Sequence, residues 1–368
     1  MPTADRSYFK PHILPSLIAL LGIATKEVTK LYFFLALSDT GRWAPMYAAL
    51  WMGLIVVFST VTGYVTDRVS KKPALIATLI FSVISIFFIR QKYVALAIVI
   101  NGILGNTTVV SRTIYCYLQG KRSSVSVIAE TYFVQALPWV FLCTFPWVYL
   151  HYVKAAALYL SIGTLLITMG FFQMKIWRKP PQKLRFSEKL GMIQGDRLRI
   201  FIGFFLGEIA YHLMQYYLDS HFQEKIVSDA FALLGFGIVS GVSVHFLIHF
   251  TPGLKEICLI YTAAAGVFIA GAISYIYFPS SSLMSFSYYL PFASVSAFGL
   301  PLIYAGFTRN VLVEEKGFLL GCLESILALA EFLGPLLATL GIFGFTTMIA
   351  LLSLAAVITY KPSYRKAF

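Results

Sequence analysis

The sequence predicts an all-α polytopic membrane protein in which twelve transmembrane helices form two six-helix halves. Hydrophobic residues make up 58% of the chain and charged residues 12%, about half the charged share of a soluble domain. Apolar runs long enough to cross a bilayer as helices recur along nearly the whole length. The cations fall in the gaps between these runs, as they do in multi-pass membrane proteins.

The apolar runs give the bounds of the predicted helices. In the first half we expect helices at 13–37, 44–66, 74–89, 93–119, 124–150 and 154–176. In the second half we expect them at 199–219, 228–250, 256–278, 283–306, 317–340 and 342–360. The third run is short for a span, so its flanking residues would have to reach the membrane interface.

The basic, proline-interrupted stretch between the sixth and seventh helices predicts the boundary between the halves. The division would be an N-terminal bundle at 1–176, a cytoplasmic linker at 177–198 and a C-terminal bundle at 199–368. A charged loop, an apolar stretch and then a glutamate occur near the start of the fifth helix of each half, at Glu130 and Glu324. Such a parallel repeat is typical of transporters built from two related halves.

Lysine and arginine counts predict the orientation. When the gaps are assigned alternately to the two sides, 21 of the 29 cations fall on the side that holds both termini and 5 on the other. The positive-inside rule makes the first side cytoplasmic. We therefore expect a multi-pass protein of the cell (inner) membrane with both termini in the cytoplasm. The net charge of +13 comes from cations that lie in the loops between apolar runs, where the positive-inside rule places them. We therefore expect no nucleic-acid partner.

A short charged loop joins the second and third predicted helices. Its spacing is G-x-x-x-D-R-x-x-K-K, formed by Gly63, Asp67, Arg68, Lys71 and Lys72. This loop resembles motif A of the major facilitator superfamily, although Ser70 stands where that motif usually has glycine. Arg112 inside the fourth helix, where a motif B arginine would lie, and Gly334-Pro335 in the eleventh agree with the same resemblance. The resemblance implies alternating access, with Asp67 and Arg68 contacting cytoplasmic helix ends to hold one closed state.

A narrower resemblance concerns the cargo. Thr66-Asp67 with Lys72-Pro73, Arg112 with Tyr115, and the aromatic stretch 211–217 are similar to features of the folate and thiamine carriers of that superfamily. A vitamin carrier therefore stays open as an alternative.

Three charges lie close together in the first predicted helix, at Lys26, Glu27 and Lys30. At 1.5 Å per residue they lie roughly 20 Å from its cytoplasmic end. An ionisable group inside a bilayer costs about 2.5–3.5 kcal/mol on insertion scales, so each one needs a partner or a water-filled cavity. We expect these three side chains to line the central cavity, since the resemblance implies that the first, fourth, seventh and tenth helices surround it. An ion pair between Glu27 and Lys30 is the alternative.

A polar stripe follows the seventh predicted helix. Glu208, His212 and Gln215 recur at helical spacing, with Tyr211 beside them. We expect Tyr211, His212 and Gln215 to contact the substrate. Glu208 and His212 lie one turn apart, an arrangement that suits proton uptake and release. Packing against the first half is the alternative.

Further charges fall in the fourth, fifth and eleventh helices. We expect Arg112 to pair with Glu130, as a structural contact or as a conformational latch. Glu324 and Glu331 share a face of the eleventh helix that holds no cation, so we expect one of them to be protonated. Both carboxylates, and Glu27 as well, are candidates for proton coupling.

These observations predict a secondary active transporter that moves a small organic solute, anionic or zwitterionic, across the cell membrane by alternating access. The expected partners are that solute, the lipid bilayer and protons moved in symport, and the expected state is a monomer. The chain holds no ATP-binding motif, no metal-ligand set and no group of nucleophile, base and orienting residue, so we expect no cofactor, metal or enzyme activity. A drug or metabolite efflux carrier of the same fold, a polytopic membrane enzyme and an inert receptor remain alternatives.

Overall fold

The computed structural model describes residues 13–119, 124–144, 146–172, 185–221, 253–277, 299–312, 315–339 and 345–360, and these residues form helices joined by turns. The first half of the sequence contains α1 (Ile13–Ser38), α2 (Ala44–Arg68), α3 (Lys71–Arg90), α4 (Val94–Leu104), α5 (Thr107–Gln119), α6 (Ser124–Thr144) and α7 (Pro146–Phe171). It is followed by α8 (Phe186–Leu190), α9 (Asp196–His221), α10 (Leu254–Tyr277), the helical segment α11 (299–307), α12 (Lys316–Thr339) and α13 (Phe345–Thr359). We use "first half" for α1–α7 and "second half" for α9–α13.

Five helical stretches of the described chain are long and apolar enough to cross a membrane. They are Gly41–Arg68, Lys71–Arg90, Val94–Gln119, Tyr152–Phe171 and Lys316–Gly334. The predicted eighth helix at 228–250 lies outside the described residues, as does most of the predicted tenth helix at 283–306.

The fourth predicted helix is not continuous, because α4 ends at Leu104 and α5 begins at Thr107. Gly105 and Asn106 separate the two pieces. Glycine is a weak helix former, and asparagine side chains compete with the helical backbone for hydrogen bonds. The buried Asn106 amide donates a hydrogen bond to the Ser59 hydroxyl of α2. Irregular backbone at membrane depth is tolerated when it is buried in protein in this way.

The boundary between the fifth and sixth helices also differs from the prediction. We expected helices at 124–150 and 154–176, whereas α6 ends at Thr144 and α7 begins at Pro146. Proline has no amide hydrogen and disfavours helical geometry at the residue before it, so it is accommodated at the first position of a helix. Apolarity continues through Pro146, and hydropathy alone therefore placed the boundary too late.

The first and second halves approach each other closely where α2 crosses α12. Gly63 faces Gly317 across this crossing, and a Cβ atom on Gly317 would lie 2.8 Å from the Gly63 carbonyl oxygen. One turn before Gly63 on α2 and one turn after Gly317 on α12, Ser59 faces Gly321. A Cβ atom on Gly321 would lie 3.1 Å from the Thr60 Cα. Small residues repeated every four positions let two helix backbones touch in this way. The Thr60 and Ser325 hydroxyls form a hydrogen bond of 2.8 Å at the same crossing.

Candidate substrate site and gate

Lys26 is buried inside the first half. Its Nζ donates a 2.8 Å hydrogen bond to the Asn101 Oδ1 of α4, which also accepts a 3.2 Å hydrogen bond from the indole Nε1 of Trp51. Asn101 in turn donates to the Ser85 hydroxyl at 3.2 Å. Within the described residues, no carboxylate lies within salt-bridge distance of Lys26. The broken fourth span therefore provides a neutral partner for this ammonium group.

Lys30 reaches across to the second half. Its Nζ lies 2.9 and 3.0 Å from the two carboxylate oxygens of Glu331 on α12. Both side chains are about one-fifth exposed. Glu27, one turn back, accepts a 3.0 Å hydrogen bond from the Gln135 amide of α6. The salt bridge of Lys30 is thus formed with the opposite half and not with its helical neighbour Glu27.

Arg112 is completely buried and forms an ion pair with Glu324 of α12. Its remaining donors reach the Thr131 hydroxyl at 3.2 Å and the Gln135 Oε1 at 2.7 Å. The Tyr304 hydroxyl donates to Glu324 at 3.2 Å, so the carboxylate is held from two sides. The pair is therefore fixed by neutral hydrogen-bonding groups as well as by charge.

The predicted pairing of Arg112 with Glu130 is wrong. Glu130 accepts a hydrogen bond from the Tyr115 hydroxyl, and the carboxylate that contacts Arg112 is Glu324. Glu324 and Glu331 were expected to have no cation in their own helix; Arg112 of α5 and Lys30 of α1 supply one to each. For these two carboxylates the sequence prediction considered only cations of the same helix, whereas their partners lie in the other half of the chain.

The polar stripe of the seventh predicted helix is on α9. The Nε2 of His212 lies 3.9 Å from the Glu208 carboxylate, as the spacing of one turn predicted. Tyr211 packs edge-to-face on the His212 ring with a centroid distance of 5.1 Å. Gln215 lies on the same helix, but its side chain is outside the described part of the structure.

α12 packs directly against this stripe. A Cβ atom on Gly334 would lie 2.6 Å from the Cβ of His212. The glycine therefore allows α12 to approach α9 closely beside the Glu208–His212 pair.

Asp67 of the charged loop binds the start of α12. Its carboxylate oxygens accept hydrogen bonds from the backbone N–H groups of Gly317 at 2.8 Å and Phe318 at 2.9 Å. A carboxylate at a helix N-terminus satisfies unpaired N–H groups and interacts favourably with the helix dipole. This is the helix-end contact that the resemblance implied for Asp67. Lys189 of α8 adds a buried ion pair to the same carboxylate at 2.6 Å.

The other charged residues of the loop bind nearby groups. The Arg68 guanidinium lies 4.3 Å from the centre of the Tyr64 ring. Lys71 and Lys72 donate to the backbone carbonyls of Thr66 and Met169 at 2.8 and 2.9 Å.

Ser70, which replaces the usual glycine of the motif, precedes α3 with φ −60° and ψ 135°. Any residue adopts this extended conformation, so the serine does not strain the turn.

Two residues of this network were missed by sequence analysis. Lys189 falls in the predicted linker, where a basic residue is ordinarily assigned to solvent, yet it is 3% exposed. Gln135 contacts both Glu27 and Arg112. An amide inside an otherwise apolar helix is the signal that could have identified it.

Of the comparisons with known proteins, the one with solved structures identifies the fold. No protein-family model matches the sequence, and no curated protein matches it. The structure is nevertheless similar to that of the human organic anion transporter MFSD10 (TETRAN), with a TM-score of 0.76 and 16% identity over 95% of this chain and 98% of that chain.

It is also similar to a bacterial homologue of the iron transporter ferroportin in an outward-facing state, with a TM-score of 0.71 and 11% identity over 94% of this chain and 98% of the other. The same kind of protein with soaked iron gives a TM-score of 0.65 at 12% identity over 94% and 98%. These neighbours are transporters and not enzymes, and they give no support to the resemblance to folate and thiamine carriers. The chain therefore has the fold of these transporters, and five helical stretches of its described part are long and apolar enough to cross a membrane.

Proposed function

We propose that this protein is a secondary active transporter that carries a small organic anion across the cell membrane by alternating access. The observation that carries the proposal is the pairing of two cations of the first half with two carboxylates of one helix in the second half. These pairs are Lys30 with Glu331 and Arg112 with Glu324. Both carboxylates belong to α12, so a movement of this one helix relative to α1 and α5 breaks both pairs.

The two pairs lie at different depths. At 1.5 Å per residue, Glu324 is roughly 12 Å and Glu331 roughly 22 Å from the start of α12. Asp67 contacts the start itself. The contact between the halves therefore extends along α12 from the charged loop to beyond the middle of the helix.

Separation of the halves has an electrostatic consequence. Removing one partner from a buried ion pair leaves an uncompensated charge and costs about 3–5 kcal/mol. An anionic solute that enters between the halves can replace Glu324 beside Arg112 and Glu331 beside Lys30. Binding of the anion then compensates for the loss of the pairs, and it couples solute binding to the movement of the halves. The organic anion transporter among the structural neighbours supports this choice of substrate charge.

Proton coupling follows from the same replacement of Glu324 and Glu331 by the anion. A carboxylate that loses its cation in an apolar environment favours the protonated form. Glu324 and Glu331 are released in this way, and Glu27, Glu208 and His212 lie on helices next to them. We propose that the anion travels with protons, in symport. Acidification of the lumen of liposomes that contain a pH-sensitive dye, measured during uptake, tests this step; flux without any change of lumenal pH would refute it.

The charged loop serves as a gate in this proposal. Asp67 joins α2 to the start of α12 and to Lys189, on the side that the cation count makes cytoplasmic. This contact closes that side while the opposite side opens. We place both termini in the cytoplasm and the protein in the cell (inner) membrane on the same count.

The proposal is tested by uptake into proteoliposomes that contain the purified full chain. Labelled organic anions, organic cations and neutral solutes are offered as separate pools. Wild-type protein should take up members of the anion pool, and Lys30→Gln and Arg112→Gln should lose most of that uptake. Lys255→Gln, which replaces an exposed lysine of α10, is the matched control and should retain it. Uptake restricted to neutral or cationic solutes would refute the substrate class. Outward flux from loaded liposomes distinguishes an efflux carrier.

A further inference from the structure

The second half contains a cavity of its own. It has a volume of about 40 Å³ and lies among α9, α10, α11 and α13. Its lining includes the polar residues Glu208 and Tyr261, and Tyr211 and aliphatic residues such as Ile303 complete it. None of the described residues of the first half lines it. As far as the structure describes it, the cavity is therefore lined by the second half alone.

A buried hydroxyl and a largely buried carboxylate of this cavity have no hydrogen-bond partner among the described residues. Tyr261 is 4% exposed, and its hydroxyl makes no hydrogen bond. The Glu208 carboxylate approaches only His212, at 3.9 Å, which is beyond hydrogen-bond distance. A buried polar group without a partner costs about 1–3 kcal/mol, and more if it is charged. Two such groups facing one space indicate that a ligand supplies the missing partner.

Glycines on two helices create this space. A Cβ atom on Gly207 would lie 2.7 Å from the Tyr261 ring, and one on Gly203 would lie 3.3 Å from it. The two glycines therefore let the Tyr261 ring lie against α9 next to Glu208. A Cβ atom on Gly299 would lie 2.8 Å from Ile260, so the third glycine keeps a further wall free of side-chain atoms.

The chemistry of the walls selects the ligand. A carboxylate attracts a cation, and the oxygens of Glu208 and Tyr261 both accept hydrogen bonds. The aromatic faces of Tyr211 and Tyr261 favour a cation as well. The remaining walls are aliphatic and suit a short hydrocarbon chain. An anion would be repelled by Glu208, and a neutral alcohol would leave the carboxylate charge uncompensated.

We propose that this cavity binds a primary ammonium group carried on a short alkyl chain. The ammonium donates hydrogen bonds to Glu208 and to the Tyr261 Oη, and the alkyl chain packs against the aliphatic walls. Such a group belongs either to a free amine or to the cationic end of a zwitterion. Binding of the free amine does not depend on the transport function proposed above.

The test is binding of n-propylammonium to the purified full chain in detergent, by calorimetry and by the shift in Tm. Sodium propionate and propanol are the matched probes, and neither should bind measurably. Tyr261→Phe should weaken propylammonium binding by at least about tenfold, because one hydrogen bond to a charged group is lost. Its fold should be intact, since the hydroxyl has no hydrogen-bond partner to lose among the described residues. Glu208→Gln should abolish the binding, and Tyr159→Phe, on an exposed tyrosine of α7, should leave it unchanged.

A second arm identifies the source of the ammonium. If 3-aminopropionate binds more tightly than propylammonium and Arg112→Gln removes this advantage, the cavity takes the cationic end of a zwitterionic substrate. If propylammonium binds more tightly, the cavity is a site for free amines. The proposal would be overturned if the wild type did not bind propylammonium. It would also be overturned if Tyr261→Phe and Glu208→Gln bound propylammonium as tightly as the wild type does. Anion uptake into proteoliposomes is measured separately, so either proposal can fail alone.

Discussion

Arg112 of α5 and Glu324 of α12 form a buried ion pair that joins the first half of the chain to the second. The guanidinium lies between two tyrosine rings, 4.6 Å from the centre of Tyr132 and 5.3 Å from that of Tyr304. Tyr304 itself comes from α11 and also donates to Glu324. Four helices, α5 and α6 of the first half and α11 and α12 of the second, thus position one charge pair, which makes this contact specific to one arrangement of the halves.

Removal of Glu324 should destabilise the protein strongly. Glu324→Gln leaves the Arg112 charge buried without its counterion, and we expect a loss of about 3–5 kcal/mol of stability. Arg112→Met with Glu324→Leu should recover most of this loss, because an apolar pair of similar volume carries no desolvation penalty. The Tm in detergent measures both effects. The double variant should still fail to take up anions; uptake at the wild-type level would show that the pair is only structural.

The close crossing of α2 and α12 should tolerate no added side chain. Gly63→Ala places a Cβ atom against the Gly317 carbonyl, whereas Gly53→Ala, on the same helix, meets nothing within 4 Å. Alanine is the better helix former by about 1 kcal/mol, so Gly53→Ala should raise the Tm slightly. Gly63→Ala should lower the Tm, because overpacking costs about 1–3 kcal/mol. Equal shifts in the two variants would mean that the helices do not touch at Gly63.

Loss of the Asp67 carboxylate should open the side that bears the charged loop. The native Cys322 is 4% exposed and lies at the same crossing, with its Sγ 3.8 Å from the Thr60 hydroxyl. Maleimide labelling of Cys322, followed by peptide mass spectrometry, therefore reports separation of α2 from α12. We expect faster labelling in Asp67→Asn, which keeps one acceptor, and faster still in Asp67→Ala.

Asp39→Asn, in an exposed turn, is the control for this labelling experiment and should behave as the wild type does. Labelling of Asp67→Ala at the wild-type rate would exclude a gating role for the contact with α12.

The sequence was sufficient for the class of fold, because hydropathy and cation placement are properties of single helices. It was not sufficient for the partner of Arg112. Glu130 lies nearer in sequence and at a similar predicted depth, but the choice of Glu324 depends on how the halves dock. The same holds for Lys189, whose burial depends on the position of Asp67. The breaks at Gly105-Asn106 and before Pro146 carried local signals, which a hydropathy window averages away.

Separation of α2 and α12 during transport of an anion is tested most directly by a reversible cross-link between them. The Thr60 and Ser325 hydroxyls lie 2.8 Å apart, so cysteines at these two positions should form a disulfide. The pair is built with Cys322→Ser, because the native cysteine also faces Thr60. Uptake of labelled organic anions into proteoliposomes is then measured in the oxidised and the reduced state. The account predicts uptake in the reduced state, its loss on oxidation and its recovery on reduction; equal anion uptake by cross-linked and reduced protein would contradict it.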